Sequence, residues 1–201
     1  MTSSIEYLAV EATDAPAAER FYAALGLGTR VRVRASDAPT TGFRGFTLSL
    51  VASQPSTVTA LVDAALDAGA STLKPAEKSL WGFGGVIQAP DGTIVTLASS
   101  TKKDTGPAST QIDEVVLQLG VADVAASKRF YVERGLAATK SYGRRYVEFD
   151  GPVSLVLLKH RALAKAAGVS PDGTGSHRIV VGSDAGPFTD PDGFVWESPS
   201  R

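Results

Sequence analysis

Two apolar periodicities alternate along the chain. Residues 5–10 and 46–51 are short apolar runs with the length of buried β-strands. Between them, residues 18–25 carry apolar side chains every three or four positions, which is the spacing of one helix face. Asp14 precedes this segment and Gly26 ends its apolar stripe, so the sequence predicts an N-capped helix that stops at a glycine. The chain therefore opens as a strand, an amphipathic helix and further strands.

The remainder of the first half continues this alternation. Residues 30–34 alternate arginine with valine, which predicts a strand whose arginine face is either wet or lines a cleft for an anionic substrate. A helical pattern over 58–66 stops at a glycine shortly afterwards. Residues 81–88 and 93–98 predict two strands that close as a hairpin around Pro-Asp-Gly.

The second half restarts the same pattern. Residues 126–135, Ala-Ser-Lys-Arg-Phe-Tyr-Val-Glu-Arg-Gly, match residues 17–26, Ala-Ala-Glu-Arg-Phe-Tyr-Ala-Ala-Leu-Gly. The far ends also match, because the Pro-Asp-Gly that begins at Pro90 returns at Pro191. Head and tail signatures that recur in the same order indicate an internal duplication.

Each copy lacks a different piece. Between Ser183 and Asp192 there is no room for the crossover helix that the first half carries at 58–66. Conversely, residues 161–167 predict a short helix, stopped by Gly168, that has no counterpart in the first half. We expect the two halves to pack on each other across these gaps, because a sheet without its covering helix exposes apolar surface.

The boundary between the halves is predicted at residues 101–110. This segment is polar, lacks apolar periodicity and contains a Gly-Pro breaker, which is typical of an exposed linker. The sequence therefore predicts one domain over 1–100 and a second over 111–201, the latter with a truncated second unit.

Composition excludes several classes of function. The 201 residues carry a net charge of about −1 without a basic cluster, so we expect no nucleic-acid partner. No apolar stretch approaches the length of a membrane span, and the chain reads as a soluble cytoplasmic protein without a membrane partner. The absence of cysteine removes disulfides, thiol catalysis and thiolate metal sites.

Three stretches carry a family resemblance: residues 14–26, 74–85 and 189–197. In this order they resemble the glyoxalase, bleomycin-resistance and extradiol-dioxygenase family, the vicinal oxygen chelate superfamily. The resemblance implies an α+β fold of paired βαβββ units with curved, mixed sheets, here as two glyoxalase-like domains in tandem. It covers nearly the whole chain, but this superfamily holds many activities, so fold alone selects none of them.

The resemblance also implies a divalent metal held by inward side chains on the first and last strands of the units. In the first half the corresponding positions are Tyr7, Phe46 and Thr96, which are not a competent ligand set, so this half is expected to be metal-free. In the second half His177 and Glu197 match two of the usual ligands.

The third ligand is less direct. Counting back from the Phe-Tyr helix puts Val116 in its position, flanked on the same strand face by Glu114 and Gln118. The interpretation is a site of His177, Glu197 and Glu114, or Gln118 in place of Glu114, for one divalent metal, which would be Zn, Ni, Mn or Fe. A structural role for His177 remains the alternative.

Two functions stay open. In the first, a small molecule binds in the second half and the metal polarises its carbonyl or enediol oxygen, while Glu197 or Glu114 moves a proton in lyase, isomerase or dioxygenase-type chemistry. In the second, the protein is a non-catalytic binder that sequesters a drug or metabolite. Trp196, Trp81 and Gln118 are the candidate substrate-binding residues, with core packing as the alternative for the aromatics. Both a monomer and a homodimer are compatible with the sequence.

Overall fold

The computed structural model describes residues 2–199. The elements of the first half are β1 (Ile5–Ala12), α1 (Ala15–Ala24), β2 (Val31–Ala35), β3 (Thr40–Gly42), β4 (Phe46–Val51), α2 (Pro55–Asp67), β5 (Ser71–Ser79), β6 (Gly82–Gln88) and β7 (Ile94–Ser99). Those of the second half are β8 (Glu114–Val121), α3 (Val124–Glu133), β9 (Ala138–Tyr142), β10 (Tyr146–Phe149), β11 (Ser154–Lys159), α4 (His160–Ala167), β12 (Gly173–Gly175), β13 (Ile179–Ser183), β14 (Phe188–Thr189) and β15 (Val195–Glu197).

The larger sheet has eight strands in the order β5-β6-β7-β4-β8-β11-β10-β9. It joins two complete βαβββ units, β4 to β7 with α2 and β8 to β11 with α3. The join is the antiparallel pair of β4 and β8, in which Phe46 lies opposite Leu119 and Val51 opposite Glu114. Parallel pairs occur as well, β4 with β7 and β8 with β11, so the predicted mixed α+β class is confirmed.

The smaller sheet has five strands in the order β14-β15-β13-β1-β2, and it joins the beginning of the chain to its end. β1 runs antiparallel to β13, with Leu8 opposite Val181 and Val10 opposite Ile179. The units are therefore nested, the first with the last and the two middle ones with each other. The sequence predicted a boundary between two domains at residues 101–110. These residues are exposed and connect the two units of the larger sheet, and each sheet contains strands from before and after them. A duplication reveals how many copies exist, but their edges can pair in more than one combination.

One main core lies between the sheets and helices α1, α2 and α3. On β8 the residues Val115, Leu117 and Leu119 point into this core, while Glu114 and Gln118 alternate to the opposite side. We call that opposite side, which also carries Thr47 and Thr96, the inner face of the eight-stranded sheet. Within residues 2–199, no helix combines the length and the apolar character needed to cross a bilayer.

The two repeated signatures meet in space. Tyr22 of the first Phe-Tyr helix donates to the carboxylate of Asp91 in Pro-Asp-Gly, at 3.3 and 3.4 Å. Tyr131 of the second helix donates to Asp190, which directly precedes the second Pro-Asp-Gly. Burial raises the pKa of both tyrosines, so both hydroxyls stay protonated donors. Each buried contact fastens a helix of one unit to the closing turn of the next.

Helix α4 lies on the inner face of the eight-stranded sheet. Its start and its stop at Gly168, where φ is 79°, agree with the sequence prediction. Leu163, Ala164 and Ala167 form its buried stripe and pack in a second, smaller core with Phe43, Val86 and Ile94. The helix without a counterpart in the first half thus covers part of the sheet that the middle units build together.

Candidate functional site

Glu197 on β15 contacts two residues from the first part of the chain. Its Oε1 accepts a hydrogen bond from the Tyr7 hydroxyl on β1 at 2.7 Å. Arg34 on β2 binds the same carboxylate through both terminal nitrogens, at 2.5 and 3.0 Å. The contact crosses β13 because Gly182 lies there: a Cβ at this position would come within 2.4 Å of the Tyr7 ring.

The charges of this cluster are mutually compensated. Hydrogen bonding to Arg34 lowers the pKa of Glu197, and the Tyr7 hydroxyl adds to that effect. Burial, followed by the neighbouring Glu197, raises the pKa of Tyr7. The guanidinium of Arg32 lies 3.6 Å from the centroid of the Tyr7 ring, which is a cation–π contact. Glu197 is therefore an ionised partner of Arg34 whose oxygens are already engaged.

His177 lies in the turn before β13 and bridges two backbone segments. Its Nδ1 is 2.6 Å from the carbonyl oxygen of Arg44, and its Nε2 is 3.1 Å from that of Asp192. The ring stacks on Phe194 with a centroid separation of 4.0 Å. Both nitrogens thus face carbonyl oxygens, which is an arrangement that holds chain segments together.

Glu114 and Gln118 lie on β8, in the eight-stranded sheet, whereas Glu197 lies in the five-stranded one. Gln118 accepts a hydrogen bond from Thr47 at 2.9 Å across the β4–β8 pair. Among residues 2–199, no group of three His, Cys, Asp or Glu side chains could hold a metal ion. The donors predicted for a metal are divided between two sheets, and His177 and Glu197 already have hydrogen-bond partners, so this set does not fit the divalent ion that the fold family implies.

The two tryptophans differ in environment. Trp196 is 1% exposed and packs against Tyr131 and Phe188 in the main core, at centroid separations of 5.1 and 5.0 Å. Trp81 lies at the tip of the β5–β6 hairpin and is 85% exposed, beside Leu80 at 79%. The sequence suggested both tryptophans for ligand binding, and of the two only Trp81 is accessible to a ligand.

Trp81 borders an open cavity of about 400 Å³, which we call the hairpin groove. It lies between the β5–β6 hairpin, β7 and the last turn of α4. Its lining consists of Lys74, Pro75, Glu77, Ser79, Trp81, Gly82, Phe83, Gly84, Gly85, Val86, Thr96, Ala98, Ser99 and Ala166. Most of these residues belong to the stretch 74–85 that carried part of the family resemblance, so their position was visible in the sequence but their role as cavity wall was not.

A second cavity, of about 290 Å³, lies beside the segment that follows α4. Phe43, Ile94 and Val169 contribute its apolar wall. Ligand sites usually exceed about 300 Å³, so the hairpin groove is the better candidate for an organic molecule.

Comparisons with known proteins concern the fold. No family model matches the chain, and no curated protein matches it in sequence. Among solved structures, a variant of glyoxalase I from Zea mays is similar over 97% of this chain and 91% of its own, with a TM-score of 0.59 and 14% identity. The chain has the glyoxalase fold. The resemblance inferred from the sequence motifs is thereby confirmed at the level of fold.

Two further structures with the glyoxalase fold support this. Another structure of glyoxalase I from Zea mays has a TM-score of 0.58 at 13% identity, covering 91% of this chain and 75% of its own. A protein from Bacillus subtilis, assigned provisionally as a dioxygenase, has a TM-score of 0.53 at 10% identity, covering 90% of this chain and 70% of its own. At such identities the likeness establishes the glyoxalase fold, and function has to be argued from the site.

Proposed function

We propose that this protein binds an organic small molecule in the hairpin groove and needs no bound metal to do so. The observation that carries the proposal is the 85% exposure of Trp81 at the rim of a cavity of about 400 Å³. A large exposed aromatic beside a cavity of ligand size is a common feature of binding sites, since a planar ligand can stack on it.

The composition of the groove suits such a ligand. Val86, Ala98 and Ala166 provide an apolar floor, and the hydroxyl of Thr96 provides a hydrogen-bonding group on β7. This combination of an apolar wall with a few polar groups is typical of sites that orient small molecules. Helix α4 covers the middle of the inner face, so the ligand would lie beside it, at the end of the sheet formed by the β5–β6 hairpin.

Metal-assisted chemistry is the less favoured hypothesis. A metal held by His177, Glu197 and Glu114 would require Glu197 to leave Arg34 and Tyr7, and His177 to leave two carbonyl oxygens. Removing one partner from such contacts leaves charged or polar groups unsatisfied, at about 1–3 kcal/mol each. The non-catalytic binder is therefore the function that we favour.

Nuclear magnetic resonance tests this proposal, because the chain has two tryptophans and their indole N–H signals report separately. We expect the neutral probe naphthylmethanol to shift the Trp81 signal in a saturable manner and to leave the Trp196 signal unchanged. Replacement Ala98→Phe fills the floor of the groove and should abolish the shift. Tyr142→Ala removes another exposed aromatic, at the far edge strand β9, and serves as the control that should bind normally. A Trp81 signal that does not respond, or unimpaired binding by Ala98→Phe, would exclude the groove as the site.

A further inference from the structure

The charged residues of strand β5 divide between the two faces of its hairpin. Lys74 lies opposite Val86 and Glu77 opposite Gly84, and all four line the hairpin groove. Lys78, the next residue along, lies opposite Phe83 and does not line the groove. The charged side chains that face a bound molecule are therefore one lysine and one glutamate.

The ammonium group of Lys74 is hydrogen-bonded to backbone carbonyl oxygens within the protein. Its Nζ donates to the carbonyl oxygen of Ala166 at 2.7 Å and lies 3.5 Å from that of Lys165. These carbonyls belong to the last turn of α4, which is the negative end of the helix dipole. Lys74 thus fastens α4, and its ammonium group is already hydrogen-bonded to carbonyl oxygens of that helix.

The charge of Glu77 has no such compensation. Within residues 2–199 the side-chain ion pairs are Arg34–Glu197 and Lys140–Glu148, and Glu77 takes part in neither. Its carboxylate is exposed on the same groove that Trp81 borders. An aromatic face and an unpaired carboxylate on one apolar cavity together favour a cation, through cation–π attraction and ion pairing.

We infer that the hairpin groove selects aromatic ligands that carry a positive charge, such as an ammonium or a pyridinium group. Glu77 supplies the ionic partner and Trp81 the stacking surface, while Lys74 holds α4 in place. This inference rests on the proposed function, because it assigns a ligand class to the same groove.

Three probes of equal size and different charge test the inference: naphthylmethylammonium, naphthylmethanol and naphthoate, titrated against the full chain by the Trp81 indole signal. We expect the cation to bind most tightly. Glu77→Gln should weaken binding of the cation about fivefold, the upper end of the range for exposed ion pairs, and leave the neutral probe unchanged. Lys78→Gln changes the neighbouring charge outside the groove and should preserve the order of affinities.

The outcomes separate the two proposals. If the neutral probe binds but the cation has no advantage, or if its advantage survives Glu77→Gln, the charge preference is wrong and the groove remains a binding site. If no probe shifts the Trp81 signal, the groove itself is refuted as the site. A gain of cation binding in Lys78→Gln as large as the loss in Glu77→Gln would assign the preference to general surface charge and would also overturn the inference.

Discussion

The two buried tyrosine–aspartate contacts are predicted to differ in strength although both join a Phe-Tyr helix to a Pro-Asp-Gly turn. In the second copy, Oδ1 of Asp190 accepts from the backbone N–H groups of Asp192 and Phe194, and Oδ2 accepts from Tyr131. In the first copy, Asp91 accepts a hydrogen bond of 2.5 Å from Thr93, and its bonds from Tyr22 are longer, at 3.3 and 3.4 Å. Tyr131→Phe therefore removes the hydroxyl donor to Oδ2, whereas Tyr22→Phe removes a weak additional donor.

The magnitudes follow from these contacts. A hydrogen bond to a charged group contributes about 1.5–3 kcal/mol, so Tyr131→Phe should lower the free energy of unfolding by about 2–3 kcal/mol. Long bonds to a carboxylate that keeps another donor should be worth no more than about 1 kcal/mol, the expected effect of Tyr22→Phe. Urea unfolding followed by circular dichroism measures both values, and unchanged slopes would show that the denatured states are comparable.

The pH dependence gives an independent check. Burial raises the pKa of Asp190, while the hydrogen bond from Tyr131 opposes that increase. A raised folded-state pKa means that the contribution of Asp190 to stability is present at low pH and is lost as pH rises through the folded pKa. Without the Tyr131 hydroxyl, burial of the ionised carboxylate costs more free energy. The loss in free energy of unfolding caused by Tyr131→Phe should therefore become smaller as the pH falls and Asp190 is protonated. Equal penalties for the two tyrosines, or a penalty for Tyr131→Phe that grows towards acid pH, would refute the reasoning.

Three further outcomes are expected from unfolding measurements. Arg34→Gln should cost no more than about 1 kcal/mol, because the side chains of Arg34 and Glu197 are 42% and 28% exposed. Since the pKa of Glu197 is lowered, the ion pair stabilises the fold above the unfolded pKa, and this benefit should disappear as pH falls through the folded pKa; a benefit that persists in acid would contradict the assignment. His177→Phe should cost about 1–3 kcal/mol by removing the ring N–H that donates to a backbone carbonyl oxygen, and a neutral effect would mean that water replaces the ring. Leu163→Ala should cost about 2–5 kcal/mol and accelerate hydrogen exchange in α4 above all, whereas uniform acceleration would argue against a separate small core.

Local features of the fold could be predicted from the sequence because they depend on neighbouring residues. Asp14 and Asp123 accept hydrogen bonds from the first turns of α1 and α3, as expected of N-caps. Gly168 adopts the left-handed conformation that ends α4. The nesting of the units could not be predicted in this way, because strand pairing between similar copies depends on contacts far apart in the chain.

Some features of the candidate site could likewise be predicted from the sequence and others could not. Glu197 was found by its distance from the Pro-Asp-Gly turn, but its partners Tyr7 and Arg34 belong to the opposite end of the chain and no spacing rule connects them. The prediction of a cleft-lining or wet arginine strand missed that Arg34 pairs with this carboxylate. Trp81 was predicted as a substrate-binding residue, but the sequence did not indicate that it lies at the exposed tip of the β5–β6 hairpin.

The nested arrangement constrains the order in which the protein can assemble on the ribosome. β1 is synthesised long before its antiparallel neighbour β13, which begins only at Ile179. The two middle units can pair as soon as β11 has emerged, since β4 to β11 form a continuous stretch of chain. The edge of β1 that pairs with β13 therefore stays unpaired while the middle of the protein folds. Long-range pairing of this kind is slow, and the unpaired edge can associate with other chains in the meantime.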